Sequence, residues 1–114
     1  MAAKKIKKVS PYPIPVVLTG AETVQGRIPK LTNVGFLVET ERPLTLGTQL
    51  SITFVLPVLN KNIQATGVVI KTYARYGGEP GKEKSSMLNE IHFKTILEED
   101  RVAVTKFLVT IRQV

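Results

Sequence analysis

The chain has no cysteine, which excludes disulfides, thiolate nucleophiles and thiolate metal sites. It has no tryptophan, and only 6% of its residues are aromatic. Few platforms for stacking bases are therefore on offer. Histidine occurs once, at His92. Neither a Ser/His/Asp set nor a histidine-based metal site can be assembled from the spacing around it. There is no P-loop and no GxGxxG. No segment approaches the ~20 apolar residues of a membrane-spanning helix. The N-terminus is basic, but Pro11, Pro13 and Pro15 interrupt whatever apolar stretch could follow, which argues against a signal peptide. The expectation is a non-enzymatic, cytoplasmic protein with no metal or cofactor.

What the chain does have is a core and a basic end. Its 114 residues read as one domain, long enough to bury roughly 60–68% of the unfolded surface around a single core. The formal net charge is +7. Lys4, Lys5, Lys7 and Lys8 supply four of those charges with no acid nearby, leaving +3 for the remaining 106 residues. Residues 1–13 show no hydrophobic periodicity and end in Ser10-Pro11-Tyr12-Pro13. They are expected to form a flexible basic arm, preceding a barrel domain over residues 14–114. Such an arm suits a phosphate-bearing partner. On composition alone a solvated, disordered tail that aids solubility is the commoner reading of the same residues.

From Ile14 onward short strands are expected. Ile14–Leu18 is the first, Thr23–Leu31 the second, with Pro29 implying an edge or a bulge. Phe36–Thr40 follows a turn at Gly35. Leu50, Ile52, Phe54 and Leu56 alternate with Ser51 and Thr53, the clearest period-two signal in the chain. Ile63–Tyr73 carries apolar residues on both parities, with Gly67 permitting a bulge. Gly77–Gly81 and Lys82–Ser86 read as a polar loop, and Glu90–Lys94 as a last strand. The period then changes. Glu98, Glu99 and Asp100 place acids in a first helical turn, and Val104, Phe107, Leu108 and Ile111 follow helical spacing. Thr95 and Glu98 have the spacing of a capping box. The pattern predicts a mainly β protein, a small six-stranded antiparallel barrel, with one C-terminal amphipathic helix over about 98–111.

Few residues invite chemistry. In Lys30-Leu31-Thr32-Asn33-Val34-Gly35 a hydroxyl, an amide and a glycine share one turn. Gly35 permits positive φ and close approach of a ligand, and turn amides suit phosphate. A hairpin turn that needs glycine for geometry accounts for the same residues. Tyr73, Arg75 and Tyr76 form a small aromatic–basic group that could stack a base, though a strand end with a tyrosine lying along the surface is commoner. His92 alternates with Ile91 and Phe93 and should face solvent. Glu98–Asp100 are explained by the helix start.

Taken in order, these segments resemble the PilZ domain family. There an RxxxR segment precedes a [D/N]xSxxG turn, and the pair binds cyclic di-GMP. Here Lys4 and Lys8 stand where the family has arginines, Lys30 where it has Asp or Asn, and Thr32 where it has serine. Gly35 is unaltered. Gly35–Thr40, Leu44-x-x-Gly47, Ile52-x-Phe54-x-Leu56-Pro57, Ala65-x-Gly67-x-Val69 and Ile91-x-Phe93 continue the likeness over nearly the whole barrel.

The resemblance implies a receptor or adaptor in bacterial cyclic di-GMP signalling. Its ligand-binding residues would be Lys4, Lys5, Lys8, Lys30, Thr32, Asn33 and Gly35. Lysine lacks the planar fork of arginine, and Lys30 can only donate where Asp or Asn accepts, so weakened affinity is expected. A nucleotide-independent adaptor that docks a protein partner is the alternative. A basic oligonucleotide-binding barrel is a third reading, disfavoured by the few aromatics at exposed strand positions.

Overall fold

Alternation decides the architecture. In β1 (Ile14–Thr19) Ile14, Val16 and Leu18 are buried while Pro15, Val17 and Thr19 are exposed. In β4 (Gln49–Leu56) Leu50, Ile52, Phe54 and Leu56 are buried between exposed neighbours. Side chains two apart share a face, so each strand turns one apolar row inward. The computed structural model, which describes residues 11–77 and 84–112, gathers these rows into one core. The other strands are β2 (Thr23–Leu31), β3 (Gly35–Thr40), β5 (Lys61–Gly77) and β6 (Lys84–Ile96), and α1 is Glu98–Arg112. All strand pairs are antiparallel, and they close in the order β1-β2-β3-β6-β5-β4. The expected six-stranded barrel with a C-terminal helix is what the chain forms. Inside it Phe36 meets Phe54 and Phe93 edge-on, with ring centroids 6.1 and 5.8 Å apart.

Irregularities fall where the sequence punctuates the strands. The β2–β3 register shifts between Arg27 and Lys30, at Pro29. The β5–β6 register shifts between Thr66 and Gly67 and again between Val69 and Lys71. At the second shift Ile70 is the extra residue and points to solvent. The first shift places its extra residue, Lys94, on β6 and leaves Ile63, Ala65 and Val69 of β5 on the inward parity. Only the bulge at Ile70 changes which parity of β5 faces inward, so that Thr72 turns in to Asn89.

Two expectations need correction. The last strand is longer than Glu90–Lys94: it begins at Lys84, so Lys84–Ser86 belong to β6 and not to a loop. Residues 78–83 lie outside the described residues. The start of β6 pairs with the end of β5 through backbone bonds, which need no apolar alternation. Nor does Thr95 cap α1. It lies within β6, and its hydroxyl bonds that of Thr66 at 2.5 Å.

The helix buries Val104 and Phe107, with Leu108 and Ile111 packed against the core. Asp100 is also buried. Its carboxylate accepts the Gln64 backbone N–H at 3.1 Å and lies 3.6 Å from the Lys61 ammonium. Lys61 also bonds Glu99 at 2.9 Å, and that bond holds its pKa above the ordinary value. The first turn of α1 is thus fastened to β5 by Asp100 in addition to complementing the helix dipole.

The β4–β5 connection stores strain. Val58 has φ 71° and Asn60 φ 56°. Leu59 N–H bonds Pro57 O at 2.7 Å across Val58, a γ-turn with positive φ at its centre. A β-branched residue there costs on the order of 1–3 kcal/mol. Val58 is 71% exposed, so its side chain gains little from burial. Val58→Gly should raise stability by about 1 kcal/mol. The change is read from the urea midpoint at constant m-value. A midpoint at or below that of wild type would show that Val58 carries no such strain.

Candidate functional site

The turn between β2 and β3 is built by Thr32. Its hydroxyl donates to Gly35 O at 3.1 Å and accepts Gly35 N–H at 3.2 Å and Val34 N–H at 3.3 Å. Thr32 N–H bonds Gly35 O at 2.8 Å. One hydroxyl has one proton and two lone pairs, so these three bonds use all of its capacity. Thr32 therefore holds the turn, and two of the turn amides point at its oxygen.

Gly35 is needed for a different reason than expected. Its φ is not in the left-handed region; among the described glycines only Gly47 is, at φ 80°. A Cβ on Gly35 would instead lie 2.0 Å from Ile91 O and 2.8 Å from His92 Cα. The close approach is to strand β6, where Gly35 pairs with His92. Phe93 N–H also bonds Val34 O at 2.8 Å, so the turn is clamped to β6 on both sides of Gly35.

With those bonds made, Lys30 and Asn33 remain as the turn's outward groups. Both are exposed. Lys30 forms no ion pair among the described residues. The Asn33 side-chain oxygen lies a long 3.5 Å from the Thr105 hydroxyl of α1, which donates to Arg101 O at 3.1 Å. The Lys30 ammonium and the Asn33 side-chain amide can donate outward, and the Asn33 oxygen keeps a lone pair. The ammonium charge beside an amide donor suits an anion.

The entering chain meets the same end of the barrel. Tyr12 packs edge-on against Phe107 of α1, with centroids 6.4 Å apart. Its hydroxyl accepts the Leu31 N–H at 3.3 Å. Residue 12, the base of the expected arm, is thus half-buried between the turn and the helix. Nothing in the sequence pointed to this, because two flanking prolines conceal an aromatic that packs on a distant element.

The structure therefore brings together Lys30, Thr32, Asn33 and Gly35 in one turn. Lys4, Lys5 and Lys8 lie outside the described residues. Of the other residues considered, His92 faces solvent and lies 3.1 Å from Glu90, and Tyr73 is exposed on β5. A groove runs elsewhere, along β1, β2 and the β3–β4 connection. It takes in Arg27, Glu39, Arg42 and Thr53 but none of the turn residues. No helix among the described residues is long and apolar enough to cross a membrane.

A residue that sequence reasoning missed lies at the heart of the barrel. Asn89 is fully buried. Its oxygen accepts Leu44 N–H at 3.2 Å and the Thr72 hydroxyl at 2.7 Å. Its amide donates to Val38 O at 3.2 Å and the Thr40 hydroxyl at 2.9 Å. One side chain thus joins β3, β5, β6 and the loop before β4.

A closed six-stranded barrel carrying a hydroxyl-stapled β2–β3 turn and a terminal helix is a recognisable architecture. The chain has a PilZ-like fold. Its structure is similar to the PilZ domain with c-di-GMP of YcgR from Escherichia coli, with a TM-score of 0.75 at 12% identity, covering 90% of this chain and 83% of that one. It is similar to MrkH, described as a c-di-GMP-dependent transcription regulatory factor, with a TM-score of 0.71 at 16% identity over 88% of this chain. It also resembles the Bacillus subtilis inhibitor of motility MotI/DgrA, with a TM-score of 0.65 at 21% identity over 95% of this chain. The chain spans 46% of MrkH and 52% of MotI, about half of each. Neither the protein-family models nor the curated proteins give a match.

Proposed function

We propose that this chain is a non-enzymatic receptor or adaptor domain of cyclic di-GMP signalling, with low affinity for the nucleotide. The observation that supports it best is the β2–β3 turn. On a PilZ-like barrel, the position that matches the family's signature presents N–H donors on Lys30 and Asn33 that are unpaired among the described residues, beside the point where the basic arm joins. Four residues span at most about 13–14 Å, so Lys8 is within reach of the turn from Tyr12. Lys4, Lys5 and Lys8 would supply charge for the phosphates. YcgR and MrkH carry c-di-GMP in their descriptions, which agrees with this ligand.

The low affinity follows from group chemistry. Lysines neutralise phosphate but cannot fork onto it or stack as arginine does. Lys30 offers no acceptor to the ligand, and the Thr32 hydroxyl is already engaged. Lys4→Arg, Lys8→Arg and Lys30→Asp together restore two forks and one acceptor. We expect the triple variant to bind cyclic di-GMP at least about tenfold more tightly, roughly 1.4 kcal/mol. Calorimetry on both proteins at one salt concentration measures it. Sub-micromolar binding by wild type would refute the weak-site reading. Absence of binding by either protein would favour a nucleotide-independent adaptor.

A further inference from the structure

We propose that the outward face of α1, continued by the tip of the β2–β3 turn, docks an acidic amphipathic helix of a partner protein. The proposal rests on the adaptor reading and names the class of its partner. The helix packs Asp100, Val104 and Phe107 on the barrel. Helical spacing then places Val102, Thr105, Lys106 and Val109 on the opposite side with Arg112 at its flank, and all five are exposed. Val102 is 44% exposed and Val109 48%. The Asn33–Thr105 contact joins this face to the turn, whose Val34 is 62% exposed.

Spacing and charge select the occupant. Val102 and Val109 are one heptad apart, about 10.5 Å along the axis. Apolar residues at that interval match the seam of a second helix. Arg101 and Glu98 neutralise each other at 2.6 Å, and Glu99 is held by Lys61 on the side facing β5. Lys106 and Arg112 form no ion pair among the described residues, and neither does Lys30 beside the turn. The unbalanced charge around the valines is therefore positive. A second copy of this face would set Lys106 and Arg112 against their own kind, which disfavours self-association. Carboxylates on a partner helix would pair with them and steer its approach.

The test uses the full chain without nucleotide and three synthetic helical peptides. Each has leucines at i, i+3, i+4 and i+7, with glutamate, glutamine or lysine elsewhere. Backbone amide NMR should show the glutamate peptide shifting Val34, Val102, Thr105, Lys106 and Val109, with affinity falling as salt rises. Lys106→Glu with Arg112→Glu should weaken it about tenfold or more. Val102→Ser with Val109→Ser should do the same while the melting curve stays unchanged. Shifts centred elsewhere, or equal affinity for the lysine peptide, would overturn the proposal. So would a dimer in sedimentation that Val109→Ser abolishes, or binding through these residues to vesicles of anionic lipid but not to the peptide. Because no nucleotide is present, failure here leaves the cyclic di-GMP titration standing, and the converse also holds.

Discussion

Gly35→Ala should destabilise the barrel by on the order of 3 kcal/mol, roughly 10–20 °C in Tm. The added Cβ has no room: Ile91 O lies 2.0 Å from its position and His92 Cα 2.8 Å. Both are backbone atoms of β6, so no rotamer change relieves the clash. The β3–β6 ladder must spread, and the Phe93–Val34 bond beside it lengthens or breaks. The turn that carries Lys30 and Asn33 would shift with it. A second substitution separates this cause from a dihedral one. Asparagine tolerates positive φ better than other residues, so a φ-limited site would accept Gly35→Asn. A site limited by β6 rejects asparagine at least as strongly as alanine. Urea melts of both variants decide the matter. A loss below about 1 kcal/mol for alanine would mean that β6 yields freely, and preference for asparagine would restore the dihedral account.

Much of this fold can be read from the chain because the barrel walls alternate. Leu50, Ile52, Phe54 and Leu56 announce β4, and Thr23–Leu31 coincides with β2 despite Pro29. The helix is legible from Val104, Phe107, Leu108 and Ile111 because its buried stripe is apolar except at Asp100. What escapes sequence reading depends on closure. The first residues of β6 are polar and gain strand geometry only by pairing with β5. Asp100 looks like one of three acids at a helix start, and only docking on Gln64 distinguishes it. The candidate site is legible as a turn, since hydroxyl, amide and glycine cluster there. That Thr32 uses its hydroxyl internally, and that Gly35 answers to β6, are facts of packing. Tyr12 shows the same limit, because its partners Leu31 and Phe107 lie 19 and 95 positions away.

Asn89→Leu should cost about 3–5 kcal/mol, although the two side chains are similar in size and the leucine would be fully buried. Asn89 sits in Met87-Leu88-Asn89-Glu90, where nothing in the pattern marks it as a core residue. Inside the barrel it satisfies four groups at once: Leu44 N–H, the Thr72 hydroxyl, Val38 O and the Thr40 hydroxyl. Leucine leaves all four without this partner in a space closed to water. Each buried polar group so orphaned costs about 1–3 kcal/mol before relaxation. Relaxation is available to some of them. The Thr40 hydroxyl still donates to Arg42 O, and the loop bearing Leu44 can open to solvent, so the sum falls short of four full penalties. Thr72→Val removes a single donor and leaves the Asn89 oxygen its bond to Leu44, so it should cost only about 1 kcal/mol. Amide exchange supplies a second readout. In Asn89→Leu the Leu44 amide should exchange far faster than in wild type, while amides in the β1–β2 hairpin keep their order of protection. If Asn89→Leu melts no lower than Thr72→Val, with Leu44 still protected, the loop before β4 is held by other contacts and Asn89 is only one polar residue that found partners.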